Sequence, residues 1–365
     1  MGQAELDDLA ERLARTRWPD EMPGTGWDRG VPLGYLRELA EYWRTSYSWR
    51  DQEARLNELP HFTTRIDGQR IHFVHVRSAR EDAMPLLLLH GWPGSFVEFV
   101  DVIEPLARDF HVVVPSLPGH CLSGPIDEPG WTDGRAAAAF LELMSRLGYE
   151  RFGAQGGDTG AFVAPEMGRR APERLIGIHL NALVTMPSDD PDDLAALTDR
   201  ERQRLEHHRR FRETEMGYAQ IQGTRPQTLA YALTDSPAGQ LAWIVEKFKE
   251  WTNPAAELPE HAIDRDLLLT NVMLYWVTGT ARSSATSYYE RFRDPAMWAP
   301  KEPSGVPTGV AVFPTDVAIR RFAERAHRIV HWSEYEEGGH FAALEAPDVY
   351  VGDVRRFFER VRAVI

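Results

Sequence analysis

Phe152-Gly-Ala-Gln-Gly-Gly-Asp158-Thr-Gly-Ala161 is a crease of small residues with one acidic side chain at its point. An amphipathic helical run (Thr132 to Leu147) precedes it and another helix-like run (Phe162 to Arg170) follows, so it reads as a short strand ending in a sharp turn. Gly156, Asp158 and Gly160 have the small-x-nucleophile-x-small spacing of a nucleophile elbow. In such an elbow the neighbouring small residues admit a strained backbone and push the central side chain into a cleft. Asp158 stands where serine is usual. An aspartate among glycines is equally what an ordinary turn contains, so the flanking chain has to decide.

Upstream, Phe62 to Ile66, a turn at Asp67-Gly68, and Ile71 to Val76 alternate like an antiparallel edge pair. Pro85 to His90 is a continuous apolar run, as expected of a strand covered on both faces. Helical and strand signals then alternate: Ser95 to Ala107, Phe110 to Pro115, Thr132 to Leu147, Phe152 to Gln155, Phe162 to Arg170, Leu175 to Leu183. From about Met186 to residue 300 the pattern is helical only (Asp190 to Arg212, Pro226 to Leu233, Ala238 to Lys249, Asp264 to Thr278, Thr286 to Phe292). Strands resume at Gly309 to Phe313 and Ile329 to Ser333, and a helix from Asp348 to Val364 closes the chain.

This order predicts an α/β fold, a mostly parallel eight-stranded sheet flanked by helices. Residues 61–185 and 301–365 form its core, and residues 186–300 form a helical cap inserted between the two halves. Residues 1–60 form an N-terminal arm with two helical patterns, whose rings (Trp27, Tyr35, Tyr42, Trp43, Tyr47, Trp49) require it to pack on the body.

A chain of 365 residues suits one large catalytic domain carrying a subdomain. Its formal charge of -14 argues against nucleic acid or an anionic membrane as partner, since both call for a basic face. The single cysteine, Cys121, excludes an internal disulfide or a cysteine metal cluster and fits a reducing compartment. The first twenty residues form an amphipathic helix rather than a signal peptide or anchor, and no uncharged apolar run long enough to span a membrane follows. A soluble cytoplasmic protein is expected. The scarcity of lysine beside abundant arginine suits a GC-rich bacterial genome.

A carboxylate nucleophile needs a group that polarises the substrate, a base that makes hydroxide for the second step, and donors for the oxyanion formed then. In an open α/β sheet these belong at strand carboxyl ends or on a lid above them. The loop Gly91-Trp-Pro-Gly-Ser95 follows a strand there, and the N–H groups of Trp92 and Thr159 are candidates for the oxyanion hole. Asp316 lies just past the penultimate strand. His340 follows the last strand, behind Gly338 and Gly339. Nucleophile, acid, histidine is the chain order of an α/β-hydrolase triad. Glu334, Glu336 and Glu337 are rival acids, set too near His340 in sequence.

His90-Gly-Trp-Pro-Gly-Ser95, Gln155-Gly-Gly-Asp-Thr-Gly160, Leu268-Leu-Thr-Asn-Val-Met-Leu-Tyr-Trp276 with Thr278-Gly-Thr280, and Gly338-Gly-His-Phe-Ala-Ala-Leu-Glu345 resemble the microsomal-type epoxide hydrolases, including the juvenile-hormone group. The resemblance covers nearly the whole chain and includes Trp18-Pro-Asp20 and Trp27-Asp-Arg-Gly-Val-Pro-Leu33 of the arm. It implies that Asp158 opens an oxirane to give a glycol monoester. His340, oriented by Asp316, then activates the water that hydrolyses the ester to a diol. It also implies two lid tyrosines that donate to the epoxide oxygen, falling on Tyr218 and Tyr288. Tyr289 beside the latter leaves open which ring faces the cleft. The partners implied are an apolar small-molecule epoxide and water, with no cofactor and no metal; the oligomeric state is open, a homodimer being one option.

Three departures stand out. Thr159 replaces the tryptophan frequent after the nucleophile, so a wider or more polar pocket floor is expected. Asp316 is shorter than the glutamate of the mammalian enzymes, and their N-terminal membrane anchor is absent. The competing readings are a haloalkane or haloacid dehalogenase, which Thr159 disfavours by removing an indole donor, and a catalytically silent ligand-binding hydrolase fold.

Overall fold

The computed structural model describes residues 1–188 and 190–363; Asp189, Val364 and Ile365, and with them the expected end of the last helix, lie outside the described residues. Eight strands are present: β1 His61–Ile66, β2 Gln69–Val76, β3 Met84–Leu89, β4 Phe110–Pro115, β5 Phe152–Gly157, β6 Leu175–Asn181, β7 Pro307–Val312 and β8 Arg328–Glu334. They form one sheet in the order β1-β2-β4-β3-β5-β6-β7-β8. The β1-β2 hairpin turns at Asp67 (φ 49°) and Gly68 (φ 76°), two left-handed residues as a tight hairpin turn requires. β2 is antiparallel to β4, and every pair beyond β4 is parallel.

Leu86, Leu87, Leu88 and Leu89 of β3 are wholly buried because both faces of the sheet are covered. Helices Val100–Ala107 and Pro347–Arg362 pack on one face through Val102, Leu106, Phe357 and Phe358. Helices Asp133–Arg146 and Thr159–Arg170 pack on the other through Phe140, Met144, Val163 and Met167. This is the α/β-hydrolase fold.

The chain leaves the sheet after Asn181 and returns at Pro307; between them the described residues form helices and loops and no strand. The expected run Asp190 to Arg212 is two helices, Pro191–Ala195 and Asp199–Thr214. The break comes where Thr198 starts a new helix: its hydroxyl accepts from Glu201 N (3.3 Å) and the Glu201 carboxylate accepts from Thr198 N (2.8 Å). A further short helix, Gly217–Thr224, carries Tyr218. Helices Pro226–Asp235, Pro237–Trp251, Arg265–Thr278 and Ala281–Arg293 complete the block.

The arm likewise holds three helices where two were expected, Gln3–Ala14, Leu33–Thr45 and Trp49–Asn57, because Ser48 caps the third by accepting from Asp51 N. Trp43 and Trp49 are buried, and the arm leans chiefly on the helical block. The Tyr35 and Tyr42 hydroxyls donate to Glu260 (2.8 Å) and Asp266 (2.9 Å), and that of Tyr47 bonds Thr270 (3.0 Å). Cys121 lies where the sheet meets the block: its side chain is wholly buried and its N–H donates to the Thr280 hydroxyl at 3.1 Å. Among the described residues no helix is long and apolar enough to cross a membrane.

Candidate active site

Asp158 follows β5 directly and has φ 52° and ψ -116°, a conformation L-residues rarely hold and one that costs roughly 1–3 kcal/mol. The turn can be this tight because of its flanking glycines. A Cβ at Gly156 would collide with the Gly160 carbonyl, and one at Gly160 with the Leu89 carbonyl. The helix that carries the strain starts at once, with Thr159.

One carboxylate oxygen of Asp158 is saturated. Oδ1 accepts from Trp92 N (3.0 Å), Thr159 N (2.7 Å) and the Thr159 hydroxyl (3.1 Å). The His90–Ser95 loop that delivers Trp92 is pinned from both sides. Buried His90 donates from Nδ1 to the Gly91 carbonyl (2.8 Å) and accepts at Nε2 from Leu117 N (3.0 Å), a pattern only the neutral ring can make. Burial accordingly holds its pKa down at about 3. From the block, Asn271 donates to the Pro93 carbonyl (2.7 Å) and Tyr275 to that of Gly94 (2.6 Å). Thr159 does not line the large cavity. The expected change to the pocket floor is thus corrected: the side chain is short enough to turn back, and its hydroxyl becomes a third donor to Asp158.

The other oxygen, Oδ2, lies 3.6 Å from His340 Nε2. Burial lowers the His340 pKa below the ordinary imidazole value, with the Asp158 charge opposing. The histidine loop is tied to the block through Trp251, the last residue of helix Pro237–Trp251. His340 N (2.9 Å) and the Thr315 hydroxyl (3.1 Å) both donate to the Trp251 carbonyl, and the Trp251 ring centroid is 4.9 Å from that of His340.

Asp316 lines the same cavity as His340, but its carboxylate accepts from Phe313 N (2.9 Å) and Ala182 N (3.3 Å) and is not within ion-pairing distance of either ring nitrogen. Burial pushes its pKa up to about 7 against those two amides. Of the rival acids, Glu334 is bound by Arg204 (2.9 Å) and Arg200 (3.3 Å), and Glu336 by Arg200 (2.9 Å).

Tyr218 and Tyr288 project from helices Gly217–Thr224 and Ala281–Arg293, both buried, with ring centroids 5.7 Å apart. Trp92 stacks on Tyr218 (5.2 Å, 7°) and meets Tyr288 edge-on (5.8 Å). Burial, reinforced by neighbouring charge, raises both phenols above their ordinary pKa, so both are neutral donors at physiological pH. Tyr289 lies under Arg293 (3.6 Å) and does not line the cavity.

These groups converge on a cavity of about 550 Å³ lined by Phe162, Leu183, Phe211, Met216, Trp251 and Phe292 among others. Val184, Met186 and Trp298 line it too and are exposed, which puts its mouth between the loop after β6 and the end of the block. Trp243, Tyr275 and Trp276 stay out of its wall. Trp251 and Phe162 are the contributions the sequence did not reveal; nothing in their local pattern separates a ring facing a cavity from one facing a core.

A family model described as Epoxide hydrolase N terminus matches residues 1–99, and one described as alpha/beta hydrolase fold matches residues 84–228. A Stigmatella aurantiaca protein with a provisional epoxide hydrolase name is 44% identical over 99% of this chain and 84% of its own. Epoxide hydrolase 1 of Sus scrofa is 35% identical over 97% of this chain and 86% of its own. The crystal structure of juvenile hormone epoxide hydrolase from the silkworm Bombyx mori superposes with a TM-score of 0.92 at 31% identity, covering 100% of this chain and 93% of that one. With the arm, the sheet and the helical block all matched across its length, this chain belongs to the epoxide hydrolase family.

Proposed function

We propose that the protein hydrolyses an apolar epoxide to a vicinal diol through a covalent ester on Asp158. The observation that carries this reading is the division of labour between the two oxygens of Asp158. Oδ1 has three donors, whereas Oδ2 faces His340 in a cavity that also holds two neutral phenols.

Oδ2 attacks an oxirane carbon, the carbon-oxygen bond breaks, and the released oxygen takes a proton from Tyr218 or Tyr288. No base is needed for this step, because a carboxylate is ordinarily ionised near neutral pH. The ester's carbonyl oxygen is then Oδ1, already in the hole formed by the Trp92 and Thr159 amides, so charge developing there on hydrolysis meets fixed donors. Water adds to Cγ and gives one proton to His340. Collapse expels the diol oxygen, which recovers that proton. The remaining water proton returns to the phenolate, and Asp158 keeps the water's oxygen. Asp316, whose two amide donors both bond Oδ2, stabilises the imidazolium as it forms.

The helices of residues 186–300 serve as the lid, and the cavity's size and aromatic walls select a bulky apolar epoxide over a small polar one. Repeated turnovers in heavy-oxygen water, followed by mass spectrometry of the Asp158 peptide, test the mechanism. Label in that peptide is the expected result. An unlabelled peptide from enzyme that has made diol would overturn the ester.

A further inference from the structure

A second, much smaller cavity also borders Asp158 and His340. It shares only Asp158 and His340 with the large one, and its remaining wall includes Glu98, Asn181, Ala342 and Tyr350. Its volume is about 10 Å³, close to the least that admits one water molecule.

Among the described residues, one of its polar groups is unpartnered and another is an acid without a counter-ion. The Tyr350 hydroxyl is buried and has no hydrogen-bond partner among the described residues. Glu98, in the short turn Phe96–Phe99, is a half-buried acid that lines this cavity, has the Gly91 and Ser95 amides beside its carboxyl and has no ion-pair partner among the described residues. Its carboxyl folds back under the His90–Ser95 loop, so closely that a Cβ at Gly94 would strike it. Burial first, then the Asp158 charge, raises the Glu98 pKa well above the ordinary carboxylate value, with the Gly91 and Ser95 amides opposing; charged or protonated, its carboxyl can accept a hydrogen bond from water.

We propose that this cavity seats the hydrolytic water and that Glu98 and Tyr350 hold it for attack on the Asp158 ester. The inference rests on the ester mechanism above. During the second step the substrate's carbon skeleton fills the large cavity, so water must come to Cγ from elsewhere while touching His340. The small cavity borders both groups and is separate from the substrate's space. A water fixed there has His340 to take its proton and two further polar partners, within the two to four that buried waters ordinarily have. Glu98 neither gains nor loses a proton over the cycle.

The test compares wild type, Glu98→Gln and Tyr350→Phe by rapid quench and steady-state turnover of one aryl epoxide. A defect confined to hydrolysis lowers kcat and KM together, leaves kcat/KM unchanged and lets ester accumulate on the Asp158 peptide. Glu98→Gln is expected to do this by about tenfold, and Tyr350→Phe in the same direction by about threefold. Unchanged kcat in both variants, or lower kcat/KM without accumulated ester, would overturn the water site while leaving the ester mechanism standing. Wild-type turnover with no ester on Asp158 at any time would overturn both.

Discussion

Asp158 and His340 face each other across 3.6 Å, yet one is fixed by the sheet and the other is held by the helical block. Asp158, the proposed nucleophile, sits in a turn between adjacent elements, with three donors on one oxygen and flanking glycines where no side chain would fit. His340, the proposed base, sits on a loop whose anchor is the carbonyl of Trp251, and the Asp316 carboxylate accepts from two amides. In the mechanism proposed above, ring opening would use groups positioned within the sheet, and hydrolysis would use groups whose alignment depends on contacts with the block.

The largest effect expected comes from removing the fixed half. Asp158→Ala leaves nothing to attack the oxirane, and diol formation should fall by on the order of 10⁴-fold or more; residual turnover near wild type would break the comparison at its root. His340→Gln should separate the halves. Ring opening proceeds, kcat falls by on the order of 10³-fold, and a stable adduct appears on the Asp158 peptide; equal loss of ring opening would show that the halves are not independent. Tyr218→Phe and Tyr288→Phe act on ring opening only. Each should lower kcat/KM by about 10- to 100-fold, the double variant more, with no adduct accumulating.

The smallest effect is one of pH. Because burial depresses the His340 pKa, the neutral ring competent as a base persists below the ordinary value of 6.5. The acid limb of kcat, measured with substrate saturating, should therefore have its midpoint below that value, the more so because the esterified Asp158 no longer carries the charge that opposes burial; a midpoint above it would mean that burial does not govern the ring in the ester.

The sheet was legible because its strands are apolar runs bounded by turn residues, and the elbow because its glycines mark a close approach of backbones. What stayed hidden depended on side-chain direction or distant partners. Ser48 and Thr198 interrupt helical patterns as caps, which hydrophobic periodicity does not register. Thr159 points at Asp158 rather than the cavity, a matter of one rotamer. Asp316 was found by its place after a strand, but its engagement by Ala182 N joins two segments far apart in sequence. Glu98 lies within the run Ser95 to Ala107 that reads simply as helical, and only the folded loop above it sets it apart.

Cys121 gives the block's attachment a chemical clock. A thiol is reactive as its thiolate and only where a reagent can reach it, and this one is sealed where the block meets the sheet, with burial raising its pKa. It is also the chain's one cysteine, so its modification by a disulfide reagent counts departures of the block without background, at a rate set by that opening equilibrium. A tight-binding epoxide analogue should slow the labelling; an unaltered rate would mean that substrate enters and leaves with the block at rest.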